Sequence, residues 1–152
     1  MSQVEDFLTK EEEFAIIEAI QQAEKSTSGE IRVHIEARSV SAENKAPIDA
    51  FERAKEVFEL LKMSKTRERN GVLLYIAVQD RTLVIMGDEG INEVVEKDFW
   101  ESTKNVIIKH FKRGEMKDGL VNGILRAGEK LKKHFPYQQD DKNELSDDIS
   151  FG

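Results

Sequence analysis

Two groups of oxygen-bearing side chains carry the chemistry that this sequence offers. The first comprises Ser28 and Glu30, Arg69 and Asn70, and Asp88 and Glu89, three pairs that flank separate apolar stretches. Carboxylate and amide oxygens delivered from three loops form the hard donor set that Ca²⁺ or Mg²⁺ prefers. The second group comprises Arg38 and Ser39, Asp80 and Arg81, and Asp118. Structural roles compete there, because Asp80 suits a tight turn and Asp118 suits a helix cap. The candidate cation ligands are therefore Glu30, Asn70 and Asp88 in the first group and Asp80 and Asp118 in the second, with Ca²⁺ ahead of Mg²⁺ as the ion. A local basic run, Lys62, Lys65, Arg67 and Arg69, leads into the first group. Beside a bound cation it would attract a phosphate-bearing ligand, whose charge metal and arginine would both offset.

Other chemistries are closed off. Cysteine is absent, which removes disulfides, thiolate metal sites and thiol nucleophiles. There is no phosphate-binding Walker loop, complete dinucleotide fingerprint, nucleophile elbow or paired-histidine zinc motif. Gly87-Asp88-Glu89-Gly90 is a lone G-x-x-G, which turn geometry explains without a ligand. His34 alternates with core-facing residues and is expected to point outward, while His110 and His134 fall near helix ends. Trp100 lies on an apolar stripe and reads as core.

Local patterns predict the elements that position these groups. Thr9 with Glu12 is a capping box, and Phe14, Ile17, Ile20 and Ala23 recur at helical spacing behind it. Ile31, Val33, Ile35 and Ala37 alternate with polar residues as a half-exposed strand. Asp49 caps a second helix with the stripe Ala50, Phe51, Ala54, Val57, Phe58 and Leu61. Residues 72–78 are apolar on both faces, as a covered central strand requires. After the turn at 79–81, residues 83–86 should return antiparallel, while the first two strands, joined through a helix, should be parallel. A helix with Trp100, Val106, Ile107 and Phe111 follows, and Asp118 caps a last one whose Gly119, Gly123 and Gly128 suggest close approach to the sheet.

The expected fold is thus an α/β, three-layer α/β/α sandwich of about four helices around a small mixed sheet, two parallel strands plus an antiparallel return. Residues 1–136 form the domain, and residues 137–152 read as an acidic, flexible tail with an apolar hook at Ile149 and Phe151. With 152 residues and a net charge of −7, the chain suits one domain and disfavours nucleic-acid binding. The acidic start and the lack of a long apolar run predict no membrane insertion and a cytoplasmic location. A monomer is the expectation.

The succession Ser28-Gly29-Glu30-Ile31-Arg32-Val33, then 69–81 (RNGVLLYIAVQDR), Gly87-Asp88-Glu89-Gly90-Ile91 and 111–120 (FKRGEMKDGL) resembles the TPM domain family in order and spacing. That family groups thylakoid-lumen proteins linked to photosystem II repair and acid phosphatase activity, bacterial membrane-anchored proteins and an animal receptor modulator. The resemblance implies an α/β/α sandwich and divalent-metal binding through acidic loop residues, pointing to Glu30, Asn70 and Asp88 and to Asp80, Arg81 and Asp118. Against the commoner pattern, this chain is expected to lack a signal or anchor, and it places Asp88 where many relatives carry an aromatic residue. Its ending, NELSDDISFG, resembles that of a soluble subgroup. Three functions follow as expectations: a divalent-metal-binding module, a metal-assisted acid phosphatase, or a non-catalytic interaction or repair adaptor. The first leads, with a phosphate-bearing ligand or a protein as partner.

Overall fold

A computed structural model describes residues 7–137 and 145–152. Helix α1 (Lys10–Glu24) starts at the capping box: Glu12 N–H donates to Thr9 Oγ1 at 3.1 Å, and Thr9 N–H to Glu12 Oε1 at 2.9 Å. Strand β1 (Glu30–Glu36) follows, then α2 (Ala50–Leu60), whose first turn is capped by Asp49 accepting from Phe51 N–H at 3.0 Å. A 3₁₀ turn (Met63–Lys65) leads into β2 (Gly71–Ala77) and its hairpin partner β3 (Thr82–Gly87). The remaining elements are α3 (Glu89–Asn92), α4 (Glu101–Lys112), α5 (Met116–Lys132) and β4 (Ser150–Phe151).

The sheet order is β3-β2-β1-β4. β1 and β2 pair in parallel along their full lengths, from Glu30↔Gly71 to Glu36↔Ala77. β3 returns antiparallel on β2, and β4 adds in parallel to the outer edge of β1. Helices α1, α4 and α5 cover one face, where Ile16, Ile20, Ile107, Leu120, Ile124 and Leu131 bury against Ile31, Val33, Ile35, Val72, Leu74 and Ile76. Helix α2 covers the other, with Ala54, Val57 and Phe58 on Leu73, Tyr75 and Ala77. The α/β/α sandwich stands, with five helices and a fourth strand among the described residues. Among the described residues no helix is long and apolar enough to cross a membrane.

Four local expectations need correction. β1 is covered on both faces, and His34 is 2% exposed rather than outward-facing. The alternation of polar residues is real, but the face it marks lies under α2. Phe51, placed on the buried stripe of α2, is exposed, whereas Ala54, Val57 and Phe58 are buried. Asp118 does not cap the last helix, which begins at Met116 behind Glu115. The three glycines of α5 admit neighbouring helices rather than the sheet: a Cβ at Gly123 would meet Ile107 of α4, and one at Gly128 would meet Ala23 of α1.

Gly90 marks the tightest backbone approach. Its N–H donates to Arg69 O at 2.8 Å, and a Cβ there would lie 2.2 Å from Glu68 O and 2.6 Å from Arg69 O. Main-chain atoms cannot rotate aside as a side chain can. Gly90→Ala is expected to lower stability by about 2 kcal/mol, the range of overpacked sites, and a thermal melt unchanged from the parent would show that the loop relaxes freely.

Candidate functional site

Three polar constellations surround β1. At its start, Arg69 adopts the left-handed backbone conformation (φ 52°), which costs a non-glycine residue about 1 kcal/mol or more. The surrounding bonds hold it there. Its guanidinium grips Asp88 two-pronged, Nε to Oδ2 at 3.0 Å and Nη2 to Oδ1 at 3.2 Å. Asp88 is buried and also caps α3, accepting from Glu89 N–H at 2.7 Å. Beside it, Ser28 Oγ donates to Glu68 Oε2 at 2.7 Å, and Asn70 Nδ2 donates to Ser28 Oγ at 3.3 Å. Glu30 is linked to this edge through its backbone, its N–H donating to Asn70 O at 3.3 Å.

Glu30, Asn70 and Asp88 therefore do meet at one end of the sheet, but both Asp88 oxygens and one Glu30 oxygen are engaged. Asp88 is neutralised by Arg69, and Glu30 Oε1 accepts from Leu145 N–H at 2.7 Å. In the second group Asp80 Oδ2 accepts from Ser39 N–H at 2.9 Å, which ties the β2–β3 turn to the chain after β1. Arg38 Nε donates to Gln79 Oε1 at 2.6 Å. Asp118 is separate, an exposed carboxylate 2.8 Å from Lys117 Nζ and held by that ammonium below the usual range. Among the described residues no three acidic or histidine side chains close on a point that a cation could take. The five ligands read from the sequence do not fit a ready-made metal cage.

The second constellation is a corner that the sequence reading missed. Glu24, at the end of α1, accepts from Ile31 N–H at 3.1 Å and hydrogen-bonds Asp147. Burial pushes its carboxyl up to about 9, and the bond to Asp147 and the charges of Asp147 and Glu30 push the same way. Glu24 consequently keeps its proton at neutral pH. Asp147 Oδ1 is buried with no hydrogen-bond partner among the described residues.

The third constellation, also missed, lies under α2. Glu36 accepts from Arg53 Nε at 2.9 Å, from Arg53 Nη2 at 3.0 Å, and from the Tyr75 hydroxyl. His34 Nε2 sits 3.0 Å from Glu36 Oε1, and its ring stacks on Tyr75 with centroids 5.9 Å apart. On the other side of the ring Nδ1 lies 2.9 Å from Ser150 Oγ. Tyr75 also contacts Ser39 Oγ at 3.0 Å. Burial alone would raise the Glu36 carboxyl, but the donors from His34, Arg53 and Tyr75 outweigh it and hold the group at about 2.

The sequence profile of the TPM domain matches residues 1–130. This chain belongs to the TPM domain family. The NMR structure of the BA42 protein from the psychrophilic bacterium Bizionia argentinensis is similar over 100% of both chains, with 54% identity and a TM-score of 0.88. No curated protein matches the chain. In this TPM domain the Glu24–Asp147 corner joins a carboxyl raised by burial to a buried acidic oxygen, Asp147 Oδ1, that has no hydrogen-bond partner among the described residues. The Glu36 network, by contrast, is closed: a bidentate ion pair and two further donors satisfy its carboxylate, which is how buried charges are kept.

Proposed function

We propose that this TPM domain is a divalent-cation-binding α/β module, whose ion, Ca²⁺ or Mg²⁺, is taken up at the Glu24–Asp147 corner and draws in the neighbouring Glu30 to complete a donor set that is not closed in the ion-free domain. The observation that carries this reading is Asp147 Oδ1, buried without a hydrogen-bond partner among the described residues, beside a Glu24 carboxyl that burial and its acidic neighbours keep protonated. The donors are all oxygen, which suits a hard ion. A cation would supply the positive charge that the Glu24 proton supplies without it, and would fasten the segment 145–152 to the start of β1. The acid phosphatase reading has less support, since Arg69, the residue suited to offsetting phosphoryl charge, is already paired with Asp88.

Calorimetric titration with Ca²⁺ and Mg²⁺ tests the proposal. The parent should release heat on binding, Glu24→Gln and Asp147→Asn should weaken binding tenfold or more, and Asp88→Asn and Asp80→Asn should leave it near the parent value. Absence of heat with both ions, or losses confined to Asp88→Asn or Asp80→Asn, would overturn it.

A further inference from the structure

We infer that the outer edge of β1 is a docking site for an extended segment of another protein with the pattern acidic, apolar, hydroxyl, any residue, glycine, and that residues 148–152 of this chain occupy that site as an exchangeable plug. The inference stands apart from cation binding and rests on how closely the edge reads its present occupant.

Each position of the plug meets a different group. Asp148 directs its charge at Arg32, whose Nε is buried with no hydrogen-bond partner among the described residues. Ile149 is buried in the main core. Ser150 Oγ lies 2.9 Å from His34 Nδ1. Phe151 is 47% exposed, so its identity is not read. Gly152 N–H donates to Ile35 O at 3.0 Å, and a Cβ at Gly152 would fall 2.4 Å from Glu36 Oε1 and 2.9 Å from His34 Nε2. A side chain there would have to displace the Glu36 carboxylate or the His34 ring.

The reading groups are built without the plug. Glu36 is fixed by Arg53 of α2 and Tyr75 of β2, and it holds His34 Nε2 while Tyr75 stacks on the ring. None of these contacts involves the plug, whose removal opens the core seat of Ile149 for the side chain that replaces it. The plug itself is weakly paired: β4 matches two residues of β1, His34 and Ile35, whereas β2 matches all seven. Strand addition draws affinity from main-chain bonds and specificity from alternate side-chain pockets. A segment reproducing these contacts could therefore displace a two-residue strand.

A fluorescein-labelled peptide DDISFG, titrated into the full chain in EDTA, tests this by polarisation. The parent should bind it weakly, because its own plug competes. Gly152→Val, which cannot seat its plug beside Glu36, should bind at least tenfold more tightly, and the peptide DDISFV should bind neither. If Gly152→Val fails to fold, Ser150→Ala gives the same comparison with a smaller gain, about threefold. Equal binding of the two peptides, or no binding of DDISFG to a folded variant at 1 mM peptide, would overturn the inference. Repeating the titration in Ca²⁺ separates it from the cation proposal: an ion that fastens the plug should lower peptide binding to the parent, and the lack of a Ca²⁺ effect would count against the ion while leaving the docking site in place.

Discussion

Glu36→Ala is expected to destabilise the domain by about 3–5 kcal/mol, the cost of breaking one side of a buried ion pair. The carboxylate receives four hydrogen bonds, from Arg53 Nε and Nη2, His34 Nε2 and the Tyr75 hydroxyl. Its loss leaves Nε and Nη2 of a guanidinium whose side chain is 11% exposed without their acceptor, with Glu56 remaining at 3.0 Å on Nη1, and leaves the buried Tyr75 hydroxyl with Ser39 Oγ in place of a carboxylate. Such orphaned donors cost the full desolvation of each group rather than the modest net value of a bond. The double variant Glu36→Leu/Arg53→Met should recover a large part of the loss, because apolar residues of similar size remove both charges together. Urea unfolding followed by circular dichroism would read this as a drop in midpoint at unchanged slope. A loss under about 1 kcal/mol for Glu36→Ala would place the pair among surface ion pairs and contradict the burial seen here. The pH dependence runs in a set direction. Folding depresses the Glu36 carboxyl from 4.5 to about 2, so its stabilisation is complete above pH 4.5 and fades as pH falls through about 2.

The opposite dependence is expected at Glu24. Its carboxyl is raised from 4.5 to about 9 in the folded domain, so the folded state binds a proton that the unfolded chain has released. That contribution is complete below pH 4.5 and is lost as pH climbs towards 9. In EDTA the melting temperature should therefore decline across pH 5 to 9. Glu24→Gln should flatten this profile and be more stable than the parent at pH 9 by at least about 2 kcal/mol, since each pKa unit corresponds to about 1.4 kcal/mol. Glutamine preserves both functions of the protonated acid, accepting from Ile31 N–H and donating to Asp147. Adding Ca²⁺ should remove the alkaline decline in the parent but not alter the variant. A parent whose stability is level from pH 5 to 9 in EDTA would mean that Glu24 ionises without penalty.

The helices and strands were legible where the signal is local. Thr9 and Glu12 lie three residues apart, and their reciprocal bonds form within one turn, so the start of α1 is set before any tertiary contact. The unbroken apolar run of β2 demands cover on both faces and receives it. The short turn after β2 brings β3 back antiparallel because a hairpin needs no partner beyond itself. Even the convergence of Glu30, Asn70 and Asp88 on one edge followed from parallel pairing and a return strand.

Other features had no local sign. His34 and Glu36 alternate like solvent-facing residues of an edge strand, and nothing near them announces that Arg53, Tyr75 and Ser150 will close over them. Glu24 looks like any charge at the end of an amphipathic helix until Asp147 reaches it from the far end of the chain. Residues 145–152 are acidic and lack periodicity, yet Leu145, Ile149 and Ser150 each find a partner on β1 or in the core. Asp88 reads as a metal ligand by composition, and it is the positive φ of Arg69, held by the backbone of Gly90, that aims a guanidinium at it instead. Periodicity and capping act over one or two turns and are written in neighbouring residues. Whether a polar side chain meets water, a cation or a counter-charge depends on segments distant in sequence, whose approach is settled by packing of the whole domain.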